Sequence, residues 1–442
     1  MTTVCLASSN LFPLLMYMLL VYFITIIVIA SSALHAANSP ARPLISTLDW
    51  LVSLSTDVLD NLRRDRSKKI ELMNKLQAES SGKIALNKSF LITGANSGIG
   101  QSLFQLTRRH ANQLVLSCRP ERVAELRKIV VCKEYCNASR LKEHDDKGSK
   151  ISILGVDLSR TDSIPEKIAL FKSCMGKTFA IDIIFNNAGL MSPNATVANI
   201  HAVNCVAPFL LSVSLLPNMM KSRSPSIIYV SSSSHIRGPR YAKGDLKSQL
   251  LDNSTGRAVS LKAYARAKYN SLLLSFALKR RLSDTDIIIK NVHPGLVDTP
   301  MLRGFLSPPR FLSGILLSPL EAACGVLRGA LINCDEDFYS VGCMPAPHRI
   351  SRYLRNTHDS LEVESELLYK DMLQSLPRST LIKLYDLLSS FSAKELQERL
   401  VPHSDVRSRK PRMGSDDMEL SELVRKRAQA IEGFKLDLKD TI

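Results

Sequence analysis

Between residues 83 and 344 short apolar runs alternate with longer amphipathic stretches, and nothing else in the chain constrains its fold as much. Apolar side chains recurring every second residue suit a strand, and those recurring every three or four suit a helix. Strand-like runs fall at 89–93, 113–117, 150–156, 181–186, 226–230 and 286–292, with helix-like sequence between them. Neighbouring parallel strands need long crossovers, so six such units predict an α/β protein with a doubly wound parallel sheet. The 442 residues are 45% hydrophobic and 22% charged, which gives ample core and excludes a disordered or fibrous chain.

The segment before this region reads differently. The first 41 residues contain no Lys, Arg, Asp or Glu, and 11–30 run LFPLLMYMLLVYFITIIVIA. Twenty apolar residues at about 1.5 Å rise match a hydrocarbon core of roughly 30 Å, so 11–34 is expected to be a transmembrane helix. A cleaved signal peptide is the competing reading, since 33–37 supplies small residues, but a basic n-region is lacking and the apolar run is too long. Basic residues begin at Arg42 and cluster at Arg63, Arg64, Arg66, Lys68 and Lys69, which predicts a cytosolic downstream chain and a lumenal or exterior tail at 1–10. Residues 35–82 form a juxtamembrane amphipathic and basic segment around Trp50, suited either to the membrane interface or to packing on the domain. A lumenal or secreted enzyme is a third reading, carried by sequons at Asn87, Asn137, Asn194 and Asn253.

Lys+Arg 58 against Asp+Glu 41 gives a net charge of +17, compatible with an anionic membrane face, nucleic acid or a phosphorylated ligand. No nucleic-acid module is recognisable, so no nucleic-acid partner is expected. The nine cysteines are scattered without a CxxC pair, and Cys132 and Cys136 find no histidine at a familiar ligand spacing, so no metal site is expected.

The first strand runs into Thr93-Gly94-Ala95-Asn96-Ser97-Gly98-Ile99-Gly100 and then a helical stretch. Glycines there allow a tight turn and let the backbone approach a pyrophosphate at the helix N-terminus. Further segments follow in order: Asp157-Leu158 after the third strand, Asn187-Ala188-Gly189 after the fourth, Asn204, Ser231-Ser232 after the fifth, Tyr264-Ala265-Arg266-Ala267-Lys268, and His293-Pro294-Gly295-Leu296-Val297-Asp298-Thr299 after the sixth. In this series the sequence resembles the short-chain dehydrogenase/reductase family over about residues 83–345, most closely its branch of retinol dehydrogenases and WW-domain oxidoreductases.

The resemblance implies a Rossmann-type fold and an NADP (NADPH) cofactor. It makes Tyr264 the general acid/base, has Lys268 support it and hold the nicotinamide ribose, has Ser232 hydrogen-bond the substrate oxygen, and has Asn204 support a water relay. Cofactor contacts are implied for Gly94, Asn96, Ser97, Gly98, Ile99, Gly100, Asp157, Leu158, Asn187, Ala188, Gly189, Tyr264, Lys268, Pro294, Gly295, Val297 and Thr299. The residues themselves agree: Tyr264 and Lys268 are four apart and share a helix face, and a nearby ammonium favours a phenolate. At the end of the second strand Ser117-Cys118-Arg119 offers no carboxylate for a ribose 2′-hydroxyl, and Arg119 suits a 2′-phosphate, which predicts NADP over NAD. Glu121, beyond Pro120, is expected to turn away.

The interval from Ser232 to Tyr264 is longer than the family's, and 238–259 reads as an inserted surface loop. Residues 301–317 read as an apolar lid suited to a greasy substrate, or equally as a segment packed on the membrane or on its own domain. A helical C-terminal extension spans 346–442, with a basic linker at 401–415 and a last helix at 418–434. The expected protein is a membrane-anchored oxidoreductase, single-pass and facing the cytosol, most readily in the endoplasmic reticulum. It would move a hydride between nicotinamide and a carbonyl or alcohol of a lipophilic molecule of retinoid, steroid or lipid-aldehyde type. The lipid bilayer and a second copy of the chain are its candidate partners. The alternative is a non-catalytic NADP-binding member acting as a membrane-anchored interaction protein.

Overall fold

The computed structural model describes residues 88–108, 111–131, 150–176, 178–305, 316–331, 338–340, 344–345, 358–400 and 415–442. The expected transmembrane and juxtamembrane segments, residues 306–315 of the lid and 401–414 of the basic linker lie outside the described residues.

The strands are β1 (Ser89–Thr93), β2 (Gln113–Cys118), β3 (Lys150–Gly155), β4 (Ile183–Asn186), β5 (Ser226–Val230), β6 (Ile288–Val292), β7 (Phe338–Ser340) and β8 (Met344–Pro345). They form one sheet in the order β3-β2-β1-β4-β5-β6-β7-β8, parallel except for the β7–β8 pair. The six expected strands are all present. The fourth and sixth start two residues later than expected, at Ile183 and Ile288, and the Asp182 and Asp286 side chains just before them bond Ser89 N–H and Arg427. The two short strands beyond β6 were not anticipated, since two or three residues leave no periodicity to read.

Between the strands lie α1 (Gly98–Thr107), α2 (Val123–Val131), α3 (Ile164–Met175), α4 (Val197–Met219), α5 (Asp245–Leu250), α6 (Arg257–Arg281), α7 (Pro300–Phe305) and α8 (Pro319–Leu331). After β8 come α9 (His358–Ser375), α10 (Arg378–Ser389), α11 (Ala393–Leu400) and α12 (Ser415–Lys439). Strands β1, β2, β4, β5 and β6 are buried on both faces, as helices on both sides require. Phe90, Ile92, Ile183, Phe185, Ile228 and Val230 meet α1 and α8, through Leu103, Phe104, Val326 and Leu327. The alternate residues Leu91, Ile184, Ile227 and Tyr229 meet α3, α4 and α6, and this same core takes in Leu368 and Tyr369 of α9, Leu384 of α10 and Phe434 of α12. The C-terminal helices are thus part of the same core as the sheet.

Helix α4 is long and apolar enough to cross a bilayer, yet it is almost wholly buried within this fold, the setting of a core helix. It begins at Thr196, whose hydroxyl accepts the Asn199 N–H at 3.1 Å. Within it 202–206 widens into a π-helical turn, with the Ala207 N–H bonding back to the Ala202 carbonyl. Pro208 has no N–H to offer the Asn204 carbonyl four residues earlier.

Candidate active site

In a doubly wound sheet a cleft opens where the connections change direction, here at the carboxyl ends of β1 and β4. Thr93 ties those two ends together. Its hydroxyl donates to the Phe185 carbonyl at 3.2 Å and accepts the N–H groups of Asn187 and Ala188, both at 2.9 Å. The Asn187 side chain donates back to the Thr93 carbonyl at 2.8 Å.

The turn from β1 into α1 needs its glycines. Gly94 and Gly98 have φ of +67° and +54°, a region open mainly to glycine. A Cβ on Gly100 would lie 2.2 Å from the Gly94 carbonyl oxygen and 2.6 Å from Asn187 Nδ2. The Ser97 side chain makes no cap bond and the first turn of α1 carries no acid, which leaves N–H groups and a positive dipole end facing the cleft. Asn96 and Ile99 complete this turn, and Ala95 N–H holds it to the Ser117 carbonyl of β2 at 3.1 Å. Such a cradle fits the diphosphate of a dinucleotide.

Around it stand the other candidate cofactor residues. Arg119 leaves the end of β2 with its side chain 59% exposed and its Nε 3.8 Å from Glu121. Glu121 therefore does not turn away from Arg119 as expected, because a short 3₁₀ turn at Pro120–Arg122 brings it back alongside. An exposed pair of this kind contributes little energy and leaves the guanidinium open to a stronger anion. The ends of β2 and β3 are joined by Val156 N–H to the Cys118 carbonyl at 2.9 Å. There the Asp157 carboxylate accepts the N–H and hydroxyl of Ser159 at 3.0 and 2.8 Å, while the Leu158 side chain belongs to the core. Gly189 approaches Asn204 and Met301 so closely that a Cβ would stand 3.1 Å from Asn204 Oδ1 and 3.2 Å from Met301 Cε. Beyond β6, Pro294 leads into Gly295 at φ +88°, Val297 pairs with Leu317, and Thr299 borders Gly98.

The three residues of the candidate chemistry converge. Ser232 follows β5 by two positions, and Tyr264 and Lys268 lie one turn apart on α6, both buried. Burial pushes the Tyr264 phenol up to about 12, an effect the neighbouring Ser232 hydroxyl opposes. Lys268 Nζ sits 5.7 Å from the centre of the Tyr264 ring and donates to the Val230 carbonyl at 2.8 Å. Burial lowers this ammonium to about 8. The lysine is thus fixed below the phenol as a point of positive charge. Asn204, on the π-helical turn, donates to the Leu190 and Ile200 carbonyls at 2.7 and 2.8 Å and accepts the Leu190 N–H at 3.1 Å. It braces the chain after β4 and does not touch Tyr264 or Lys268 through any of these bonds.

Two contributors lay outside the sequence reading. One is Thr93, which stands in the glycine motif but whose hydroxyl bonds only with residues more than 90 positions away. The other is His235, buried, whose Nδ1–H donates to the Ser232 carbonyl and which burial holds down to about 4, hence neutral at pH 7. The segment 238–259 also differs from the expected surface loop: it contains α5 and buries Tyr241, Leu246 and Gln249.

Comparison with known proteins agrees with this geometry. Residues 88–241 match the model of the short chain dehydrogenase family. Retinol dehydrogenase 14 of Mus musculus is 28% identical over 308 residues, 68% of this chain and 84% of that protein. Dehydrogenase/reductase SDR family member 13 of Bos taurus is 29% identical over 61% of this chain, and retinol dehydrogenase 12 of Mus musculus 30% over 49%. These two matches span 66% and 63% of the relatives' own lengths, just under two thirds. The NADPH-bound carbonyl reductase from chicken fatty liver superposes on 58% of this chain and 96% of its own, with 22% identity and a TM-score of 0.42. The family match over the glycine turn and the first five strands, extended by relatives aligned past Tyr264 and Lys268, makes the chain similar to the short chain dehydrogenases, retinol dehydrogenases among them.

Proposed function

We propose that the protein is an NADP-dependent oxidoreductase acting on a carbonyl or alcohol of a lipophilic molecule, held to a membrane by residues 11–34 with its catalytic domain in the cytosol. The observation that carries the reading is the convergence of half-buried Ser232 with buried Tyr264 and Lys268 beside a glycine cradle fitted to a dinucleotide. The nicotinamide, when bound, supplies or accepts the hydride. In reduction Tyr264 gives its hydroxyl proton to the carbonyl oxygen, and in oxidation the phenolate takes it from the alcohol. Ser232 donates a hydrogen bond to the same substrate oxygen and so orients it. Lys268 stabilises the phenolate through its charge, and Asn204 keeps the chain after β4 in place. Arg119, with no carboxylate at the end of β2, favours a 2′-phosphate and hence NADP. The names of the relatives, retinol dehydrogenases among them, support a lipophilic alcohol or aldehyde as substrate.

The decisive test is Tyr264→Phe, which removes only the titratable oxygen. Turnover with a panel of alcohols and carbonyls should fall on the order of 10²- to 10⁴-fold while NADPH affinity stays within about twofold. Unchanged turnover would remove Tyr264 from the chemistry, and an unmodified protein inert toward the whole panel would favour the non-catalytic alternative.

A further inference from the structure

The connection from Ser232 to Tyr264 is held from outside the catalytic motif. Glu364 and Asp371 lie seven residues apart on α9, two turns along one face, and both are buried. A carboxylate taken out of water needs donors to replace its hydration, and here those donors come from the connection itself. Glu364 Oε2 accepts the Tyr241 backbone N–H at 2.9 Å and the Tyr269 hydroxyl at 2.8 Å, with Arg240 Nε 3.8 Å from its other oxygen. Asp371 Oδ2 accepts the Tyr241 hydroxyl at 2.9 Å and the Gly244 N–H, while the Tyr241 hydroxyl accepts the Leu246 N–H at 3.2 Å. Two acids thus fix the backbone at 241, 244 and 246 in one arrangement.

Tyr269 carries this constraint to the chemistry. It directly follows Lys268, and Gly238 lies so close to it that a Cβ there would stand 2.3 Å from the Tyr269 Cβ. Gly238 closes the 3₁₀ turn Ser233–Arg237, and that turn begins with Ser234 N–H bonded to the Ser232 hydroxyl at 3.2 Å. Ser232 and Tyr264 are therefore set relative to one another through Tyr241, Tyr269 and Gly238, all referred to α9.

We infer that Glu364 and Asp371 of the C-terminal extension are positioning residues for the Ser232–Tyr264 pair, so that the extension completes the active site. The inference rests on the oxidoreductase reading for its kinetic consequence but not for its structural one. Apolar residues would bury α9 equally well. Paired acids at this spacing instead select a single register for the loop, because only one placement of 241 and 244 satisfies both.

The test uses the full-length protein with Glu364→Gln, Asp371→Asn and the milder Tyr241→Phe, which removes one hydroxyl. Hydrogen exchange should rise at least about tenfold in 233–250, while the β2 and β5 strands keep their protection. For folded protein kcat should fall on the order of 10- to 100-fold, with NADPH affinity within about twofold. A purely structural role would lower the melting temperature and leave kcat per folded molecule unchanged, which would overturn the inference. So would unaltered exchange in 233–250. Should the unmodified protein turn over no carbonyl or alcohol, the oxidoreductase reading fails, and the exchange result alone decides the positioning role.

Discussion

Arg427 of α12 is fully buried, and its removal should cost the domain more stability than any surface change. The guanidinium grips Asp286 at 2.9 and 2.7 Å in a two-pronged pair and donates from its third nitrogen to the Met220 carbonyl at the end of α4. Truncation to Ala leaves that carbonyl without its charged donor, strands Asp286 beside an empty site, and loosens the helix that brings Ile431, Phe434 and Leu438 into the core. Breaking a buried ion pair costs about 3–5 kcal/mol. The Asp286 side chain is 34% exposed and recovers some hydration, which places Arg427→Ala at the low end, about 3 kcal/mol. At about 2–4 °C per kcal/mol for a domain of this size, the melting temperature should fall by roughly 6–12 °C. Arg427→Lys, which keeps the charge without the fork, should lose less. Adding Asp286→Asn to Arg427→Met should cost less than the two single changes together. Thermal unfolding followed by circular dichroism measures all of these, and an Arg427→Ala protein melting within about 1 °C of the parent would refute the reasoning.

Three further outcomes follow from the site. Arg119→Asp should weaken NADPH binding by at least about tenfold and leave NADH binding unchanged or tighter, measured by nucleotide fluorescence titration, because each guanidinium–phosphate bond is worth about 1.5–3 kcal/mol; equal losses for both cofactors would exclude the assignment. Gly100→Ala should abolish NADPH binding and cost about 1–3 kcal/mol of stability, since its Cβ meets backbone at 2.2 Å and cannot be relieved by a rotamer change. Alcohol oxidation should rise with pH through neutrality, because Tyr264, pushed up to about 12, must lose its proton, and should level off as Lys268 discharges near 8; carbonyl reduction, which uses the protonated phenol beside a charged Lys268, should stay flat below pH 8 and fall above it as the lysine discharges. Paired kcat/KM profiles read this directly, and an oxidation rate independent of pH from 6 to 8 would contradict it.

The fold was legible wherever an element was long enough to show its own period. Strands of four or more apolar residues and the glycine turn could be found because each answers to a local rule: alternation, or the φ that only glycine adopts. Tyr264 and Lys268 were equally visible, being one helical turn apart. The connection at 238–259 was misread because its Lys, Asp and Asn content resembles a solvated loop, whereas Tyr241 is buried by partners 123 and 130 positions away. No window of sequence holds both ends of such a bond. For the same reason Thr93 appeared only as part of a motif and not as the tie between β1 and β4. β7 and β8 were missed because strands this short are defined by the neighbour they pair with, not by their own composition.

The seating of α9, α10 and α12 on α4 and α6 also sets the order in which the domain is finished. A sheet of this kind has its central strands in hand once β6 has been made, but Phe209 and Leu273 belong to a core that also needs Tyr369 and Phe434. About 150 residues of synthesis separate β6 from the end of α12, on the order of 7 to 30 s of translation. Throughout that interval the nascent chain carries an assembled cofactor cradle beside a bare apolar flank. A ribosome stalled within this stretch would therefore present a sticky, half-built domain, a natural client for chaperones that hold exposed apolar surface until the remaining helices emerge.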